Sequence, residues 1–250
     1  MRASTTWRIF IGPAERRLNR ALPLAAVLLD LDGTLLDTAP DLARVANMLR
    51  VREHLEPLSL AEIRPCVSHG SAAVLRTAFP GIEGVQLAAM QSRFLELYRT
   101  QLTLETRLFE GFEQVLATLE AGGIPWGVIT NKPGWLTEPL LRELALYERA
   151  GCVLSGDSLP VRKPDPLPLL TAARRVAVDP ERCLYVGDAL RDMQAARAAN
   201  MVGLAARWGY IGPHERTDEW PVTAWLDSPL ELLDWVGLAR AMPERAGADS

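Results

Sequence analysis

Asp30 and Asp32 stand one residue apart at the end of the apolar run Val27-Leu28-Leu29, and Gly33 and Thr34 follow at once. Side chains alternate faces along a strand, so the two carboxylates can leave a strand end on the same side and reach one ligand. Gly33 lets the chain turn away sharply, and Thr34 is expected to offer a hydroxyl where the backbone is exposed. Two ionised acids this close repel, so the pair calls for a bound cation or for one acid held protonated. A turn that merely caps a helix would use the same residue types. What separates the readings is the company the pair keeps.

That company comes from other apolar runs. Thr130 and Asn131 follow the second, Lys163 lies beyond the third, and Asp188 with Asp192 follows the fourth. Together these residues could move a phosphoryl group. An aspartate can attack phosphorus and split one hard displacement into two easier ones. A second carboxyl can protonate the leaving oxygen and later deprotonate water. The Thr130 hydroxyl and the Asn131 N–H, at an expected helix start, could hold phosphate oxygens while Lys163 spreads positive charge over the transition state. Asp188 could complete a cation site with Asp30, and such hard oxygen ligands favour Mg²⁺. The bland alternatives are a helix cap at Thr130-Asn131, a surface lysine at 163, and an Asp192 that pairs with Arg191.

The elements that must position these groups alternate short apolar runs with amphipathic stretches, the pattern of a parallel sheet covered on both faces by helices. Strands are expected at residues 25–30, 124–130, 152–154, 183–186 and 201–205. Residues 40–109 read as helices with no strand of their own. Ser59-Leu60-Ala61-Glu62 fits a capping box, and Leu87, Met90, Phe94, Leu95 and Tyr98 fall at helical spacing within residues 85–102. An insertion of helices after the first strand suggests a cap over the site. Residues 112–121 should form a helix ended by Gly122 and Gly123, and residues 228–241 a last helix. The division expected is a flexible extension at 1–20, a core at 21–39 and 110–241, a cap at 40–109 and a tail at 242–250.

At 250 residues and 48% hydrophobic content the chain can bury one sizeable core and a smaller inserted domain. Its 27 basic and 31 acidic residues give a formal charge of -4 without a dense basic cluster, which argues against nucleic acid as a partner. The 3 cysteines, Cys66, Cys152 and Cys183, are too widely spaced for a disulfide framework or a zinc site and read as reduced. Arg16, Arg17 and Arg20 before an apolar run imitate a signal peptide, but no small-residue cleavage site follows. No stretch reaches the roughly 18 apolar residues of a membrane span. A cytoplasmic protein acting on a small phosphorylated metabolite is expected; the oligomeric state is not legible.

Asp30-Leu31-Asp32-Gly33-Thr34, Val128-Ile129-Thr130-Asn131, Lys163-Pro164-Asp165-Pro166 and Val186-Gly187-Asp188 with Asp192 resemble, in order, the four motifs of the haloacid dehalogenase superfamily. The resemblance implies a Rossmann-like core with an α-helical cap inserted after the first motif. It implies Asp30 as nucleophile, Asp32 as acid/base, and phosphate contacts from Thr130, Asn131 and Lys163. It further implies Mg²⁺ held by Asp30, the Asp32 carbonyl and Asp188, with Asp192 supporting the metal site.

Asp37-Thr38-Ala39-Pro40-Asp41, Val67-Ser68 before Gly70, Phe109-Glu110-Gly111, Trp126 to Pro133 and Arg207-Trp208-Gly209-Tyr210-Ile211 narrow the resemblance. They resemble the phosphoglycolate phosphatase group and, more narrowly, the N-acetylmuramic acid 6-phosphate phosphatases. His69 departs from an expected glycine, and Ala189 from a polar residue. The implied activity is phosphomonoester hydrolysis, preferably of N-acetylmuramic acid 6-phosphate, with 2-phosphoglycolate as the alternative. A sugar phosphomutase or a catalytically inactive binding protein would be rivals on the same fold. Cap residues Arg64, Ser68, His69 and Arg76 are candidates for reading the leaving group.

Overall fold

The computed structural model describes residues 24–237, so the expected extension at 1–20 and the tail at 242–250 lie outside the described residues. The chain enters through β1 (Ala26–Leu29) and a tight turn into β2 (Leu36–Asp37). Helices α1 (Ala39–Arg52), α2 (Leu60–Ile63), α3 (Ser71–Ala78) and α4 (Gly84–Arg99) follow, with a 3-10 turn at Arg64–His69 between α2 and α3. The return strand β3 (Arg107–Leu108) pairs antiparallel with β2. Helices and strands then alternate as α5 (Phe112–Ala121), β4 (Trp126–Ile129), α6 (Gly134–Glu143), β5 (Cys152–Leu154), α7 (Leu167–Arg175), β6 (Cys183–Gly187), α8 (Leu190–Ala198), β7 (Val202–Ala206), β8 (Ala224–Leu226) and α9 (Leu232–Trp235).

The main sheet is six-stranded and parallel in the order β5-β4-β1-β6-β7-β8. The expected α/β, Rossmann-like sheet between helical layers is what the chain forms. Central β1 shows why its sequence does not alternate. Val27 and Leu29 face one layer with Val115, Leu116 and Leu140. Ala26 and Leu28 face the other with Leu169, Ala172 and Ala196. With both faces covered, every position in the strand is best filled by an apolar residue. Burying a leucine here contributes about 1.5–3 kcal/mol.

Polar contacts fasten the inserted segment internally. Asp41 on α1 is fully buried, and its Oδ2 accepts the N–H of Glu105 (3.0 Å), the N–H of Thr106 (2.8 Å) and the Thr106 hydroxyl (2.8 Å). At the start of α2, Glu62 accepts from the Ser59 N–H at 2.8 Å and from its hydroxyl at 2.7 Å, the expected capping interaction.

Several expectations need correction. Residues 40–109 do contain a strand, β3, whose two residues are too few to show a period. Strand β8 was not foreseen, because three residues at a sheet edge carry little pattern. The expected last helix is a 3-10 turn at Pro229–Glu231 followed by the four residues of α9, and the chain turns at Val236 and Gly237. Residues 238–241 lie outside the described residues.

Candidate active site

Strands β4, β1 and β6 are adjacent and parallel, so the first residues beyond them, Thr130, Asp30 and Asp188, meet at the carboxyl end of the sheet. All three are buried, as are Lys163 and Asp192. Lys163 reaches the cluster from the loop after β5. Its Nζ lies 2.8 Å from Asp30 Oδ1, 2.8 Å from Asp192 Oδ1, 2.8 Å from the Ile129 carbonyl and 2.7 Å from the Tyr185 hydroxyl. A buried ammonium needs such compensation, and three N–H bonds shared among four oxygens lock its position. Burial pushes the Asp30 carboxyl up from its ordinary pKa, while Lys163 opposes the shift.

Asp188 is held from one side only. Its Oδ2 accepts the Ser68 hydroxyl at 2.6 Å and the Tyr210 N–H at 2.8 Å, whereas Oδ1 is buried with no hydrogen-bond partner among the described residues. Burial, then the charges of Asp30 and Asp192, pushes its pKa up to about 7. Asp30, Asp188 and Asp192 each offer an oxygen within 4.8 Å of the others. An orphaned carboxylate oxygen among three buried acids fits a hard divalent cation such as Mg²⁺. Asp192 also accepts the Ala189 N–H at 3.1 Å, so it fixes the start of α8 whatever else it does.

Asp32 belongs to a second cluster. Its Oδ1 accepts the Thr38 hydroxyl at 2.6 Å and Lys132 Nζ at 2.9 Å. Lys132 also donates to the Tyr98 hydroxyl at 3.2 Å, and its Nζ lies 4.6 Å from the centre of that ring. Burial alone would lower the pKa of this ammonium, but Asp32 and Tyr98 more than offset it and hold the pKa above its ordinary value. Burial pushes the Tyr98 phenol up to about 12.

Both clusters open into one cavity of about 620 Å³ lined by Asp30, Asp32, Ser68, His69, Tyr98, Thr130, Asn131, Lys132, Arg162, Lys163 and Arg191. The sequence reading did not single out Lys132, Tyr98 or Arg162, and Arg191 entered it only as a partner for Asp192. Lys132 follows directly on Thr130-Asn131 and was legible as part of that motif. Arg191 is near the site too, with Nη2 at 3.9 Å from Asp30 Oδ2.

Other expected residues fall differently. Asn131 is not at a helix start, since α6 begins at Gly134; its side chain instead donates to the Lys163 carbonyl and accepts the Lys163 N–H. The Thr130 hydroxyl accepts the Lys132 N–H at 3.1 Å. Thr34 is fully buried rather than exposed, and its carbonyl accepts the Trp208 Nε1 N–H at 3.0 Å. Ser68 and His69 line the cavity, and His69 Nε2 is 3.0 Å from Glu215 Oε1. Arg64 is drawn away from it, pairing with Asp37 at 2.8 Å with its guanidinium carbon 4.7 Å from the centre of the Tyr210 ring. Arg76 is an exposed residue of α3 outside the cavity lining.

Fold and site together define an α/β enzyme with paired acids at the carboxyl ends of its central strands. The family model described as haloacid dehalogenase-like hydrolase matches residues 27–206, and the chain belongs to that family. Among its relatives, a phosphoglycolate phosphatase of Xanthomonas campestris pv. campestris is 42% identical over 209 residues, covering 84% of this chain and 95% of that protein. An N-acetylmuramic acid 6-phosphate phosphatase of Pseudomonas aeruginosa is 36% identical over 216 residues, covering 86% and 96%. A subfamily IA hydrolase of the same superfamily from Geobacter sulfurreducens shares the fold, with a TM-score of 0.67, 24% identity and 86% and 97% coverage.

Proposed function

We propose that this chain, a phosphoric monoester hydrolase, is Mg²⁺-dependent, works through an aspartyl-phosphate on Asp30, and acts on N-acetylmuramic acid 6-phosphate. The observation that carries the chemistry is Lys163 Nζ at 2.8 Å from Asp30 Oδ1, with the unpartnered Asp188 Oδ1 in the same acidic cluster. Asp30 attacks phosphorus, and the P–O bond to the leaving group breaks as its electron pair departs with that oxygen. Asp32 gives the leaving oxygen a proton, then takes one from the water that releases phosphate from Asp30. Thr38 and Lys132 both bind Asp32 Oδ1 and so orient its carboxyl for that exchange. Thr130, Asn131 and Lys163 hold the transferring group. Asp30, the Asp32 carbonyl and Asp188 would hold Mg²⁺, which supplies charge neutralisation for the phosphoryl oxygens, and Asp192 supports that site from behind.

The helices between β2 and β3 act as a cap in this reading. A cavity of about 620 Å³ has room for an amino-sugar phosphate, and Lys132, Arg162 and Arg191 in its lining suit a substrate that carries a carboxylate as well as the phosphate. 2-Phosphoglycolate also carries a phosphate and a carboxylate and is the alternative; relatives carry both names. Among the described residues no helix is long and apolar enough to cross a membrane, and Cys66, Cys152 and Cys183 are free, which suits a cytoplasmic setting.

The test is phosphate release from both esters side by side, with Mg²⁺ and with a chelator. A preference of at least about tenfold in kcat/KM, roughly 1.4 kcal/mol, would identify the substrate. Release from neither ester would reject both substrates, and phosphoryl return to a sugar would make the chain a mutase.

A further inference from the structure

Ser68 lies 120 residues from Asp188 in sequence, yet its hydroxyl reaches across from the inserted helices to donate to Asp188 Oδ2 at 2.6 Å. The same oxygen accepts the Tyr210 N–H at 2.8 Å, which leaves Oδ1 as the free atom of the carboxylate. The Tyr210 hydroxyl is anchored outside the turn, accepting the N–H groups of Thr38 at 2.7 Å and Ala39 at 2.9 Å, and the 3-10 turn that carries Ser68 adds a contact to its ring. Arg64 of that turn lies over its ring and pairs with Asp37, to which the Tyr210 hydroxyl donates at 2.7 Å. The Ser68 bond to Oδ2 therefore depends on the turn being seated, whereas the Tyr210 bond has anchors outside the turn. His69 adds a contact at the rim, to Glu215 at 3.0 Å.

A carboxylate at the end of a short side chain can rotate about its last bond. Ligating carboxylates are commonly held by outer hydrogen bonds, and losing such a partner costs about 10–100-fold in metal affinity. We propose that Ser68 is a positioning residue for Asp188: by holding Oδ2 it directs Oδ1 to the cation, so that Mg²⁺ affinity depends on the seating of the inserted helices. By linkage, Mg²⁺ favours the seated state to the same degree. The inference rests on the reading of Asp188 as a Mg²⁺ ligand. Ser68, first a candidate for touching substrate, acts through Asp188 instead.

The experiment is titration calorimetry of Mg²⁺ into the full chain, without substrate, for wild type, Ser68→Ala and Ser68→Thr. Ser68→Ala is expected to bind about tenfold more weakly, while Ser68→Thr, which keeps the hydroxyl, stays within about threefold. Binding by Ser68→Ala within twofold of wild type would overturn the inference and leave the hydrolase reading intact. A wild-type chain that binds no Mg²⁺ would instead remove the metal reading and the inference with it. Hydrogen exchange needs only the wild type: Mg²⁺ should slow exchange of residues 64–70, and no slowing would equally overturn the proposal.

Discussion

Gly33 and Asp188 leave no room between them for a single methyl group. A Cβ built on Gly33 would fall inside contact distance of Asp188 Oδ2 and 2.9 Å from Tyr210 Cδ2, and Gly33 holds φ at +82°. Strain and collision act together in a Gly33→Ala variant, which is expected to lose about 1–3 kcal/mol of stability. Because the collision falls on Asp188, Mg²⁺ binding should weaken by more than this general loss would produce. Thermal melts with and without Mg²⁺ check it: a variant that melts lower but retains the full Mg²⁺ increment would contradict the account.

Asp30→Asn keeps the size of the side chain and removes the nucleophile. Turnover should fall at least about a thousandfold, a barrier increase of about 4 kcal/mol, with the circular dichroism spectrum unchanged. The 2.8 Å contact with Lys163 can persist as a hydrogen bond to the amide oxygen. Substantial residual phosphate release would be incompatible with an aspartyl-phosphate.

Lys132→Met should cost about 1.5–3 kcal/mol in unfolding free energy, the scale of a hydrogen bond to a charged group. It removes one of the two donors on Asp32 Oδ1 and the partner of the Tyr98 hydroxyl. Denaturant unfolding of this variant, of Tyr98→Phe and of the double variant measures the coupling. Additive losses would mean that Lys132 and Tyr98 act separately.

Burial pushes the thiol of Cys152 up to about 11 and that of Cys183 up to about 12. The folded state therefore holds these protons more tightly than the unfolded chain, whose thiols titrate near about 8.5. The stability they contribute is present below that value and is lost as pH rises through 11 and 12. At pH 8 alkylation should modify the partly exposed Cys66 while Cys152 and Cys183 wait for unfolding. Rapid labelling of three thiols in the native protein would refute this.

The residues at the ends of β1, β4 and β6 were legible because each sits directly behind an apolar run, so strand and ligand group are read from one short stretch. Lys163 was harder to place: it lies nine residues beyond β5 and reaches Asp30 through a loop whose path leaves no periodic signal. Contacts made across the cleft were not legible at all. Nothing in Val67-Ser68-His69 points to Asp188, and nothing around Arg64 points to Tyr210, because tertiary docking sets those distances. Thr34 was misread for the same reason, since the indole that binds its carbonyl comes from Trp208.

The inserted helices leave the sheet at Asp37 and return at Arg107, and these two residues face each other across the β2–β3 pair. The outgoing and incoming chains are thus bound into a single strap instead of two independent arms. Any swing of the inserted helices relative to the main sheet must pass through this one pairing. Thr38 is the first residue beyond β2, so that swing is delivered at the hydroxyl that grips Asp32. An opening of the cavity and a reorientation of that carboxyl would then be a single mechanical event.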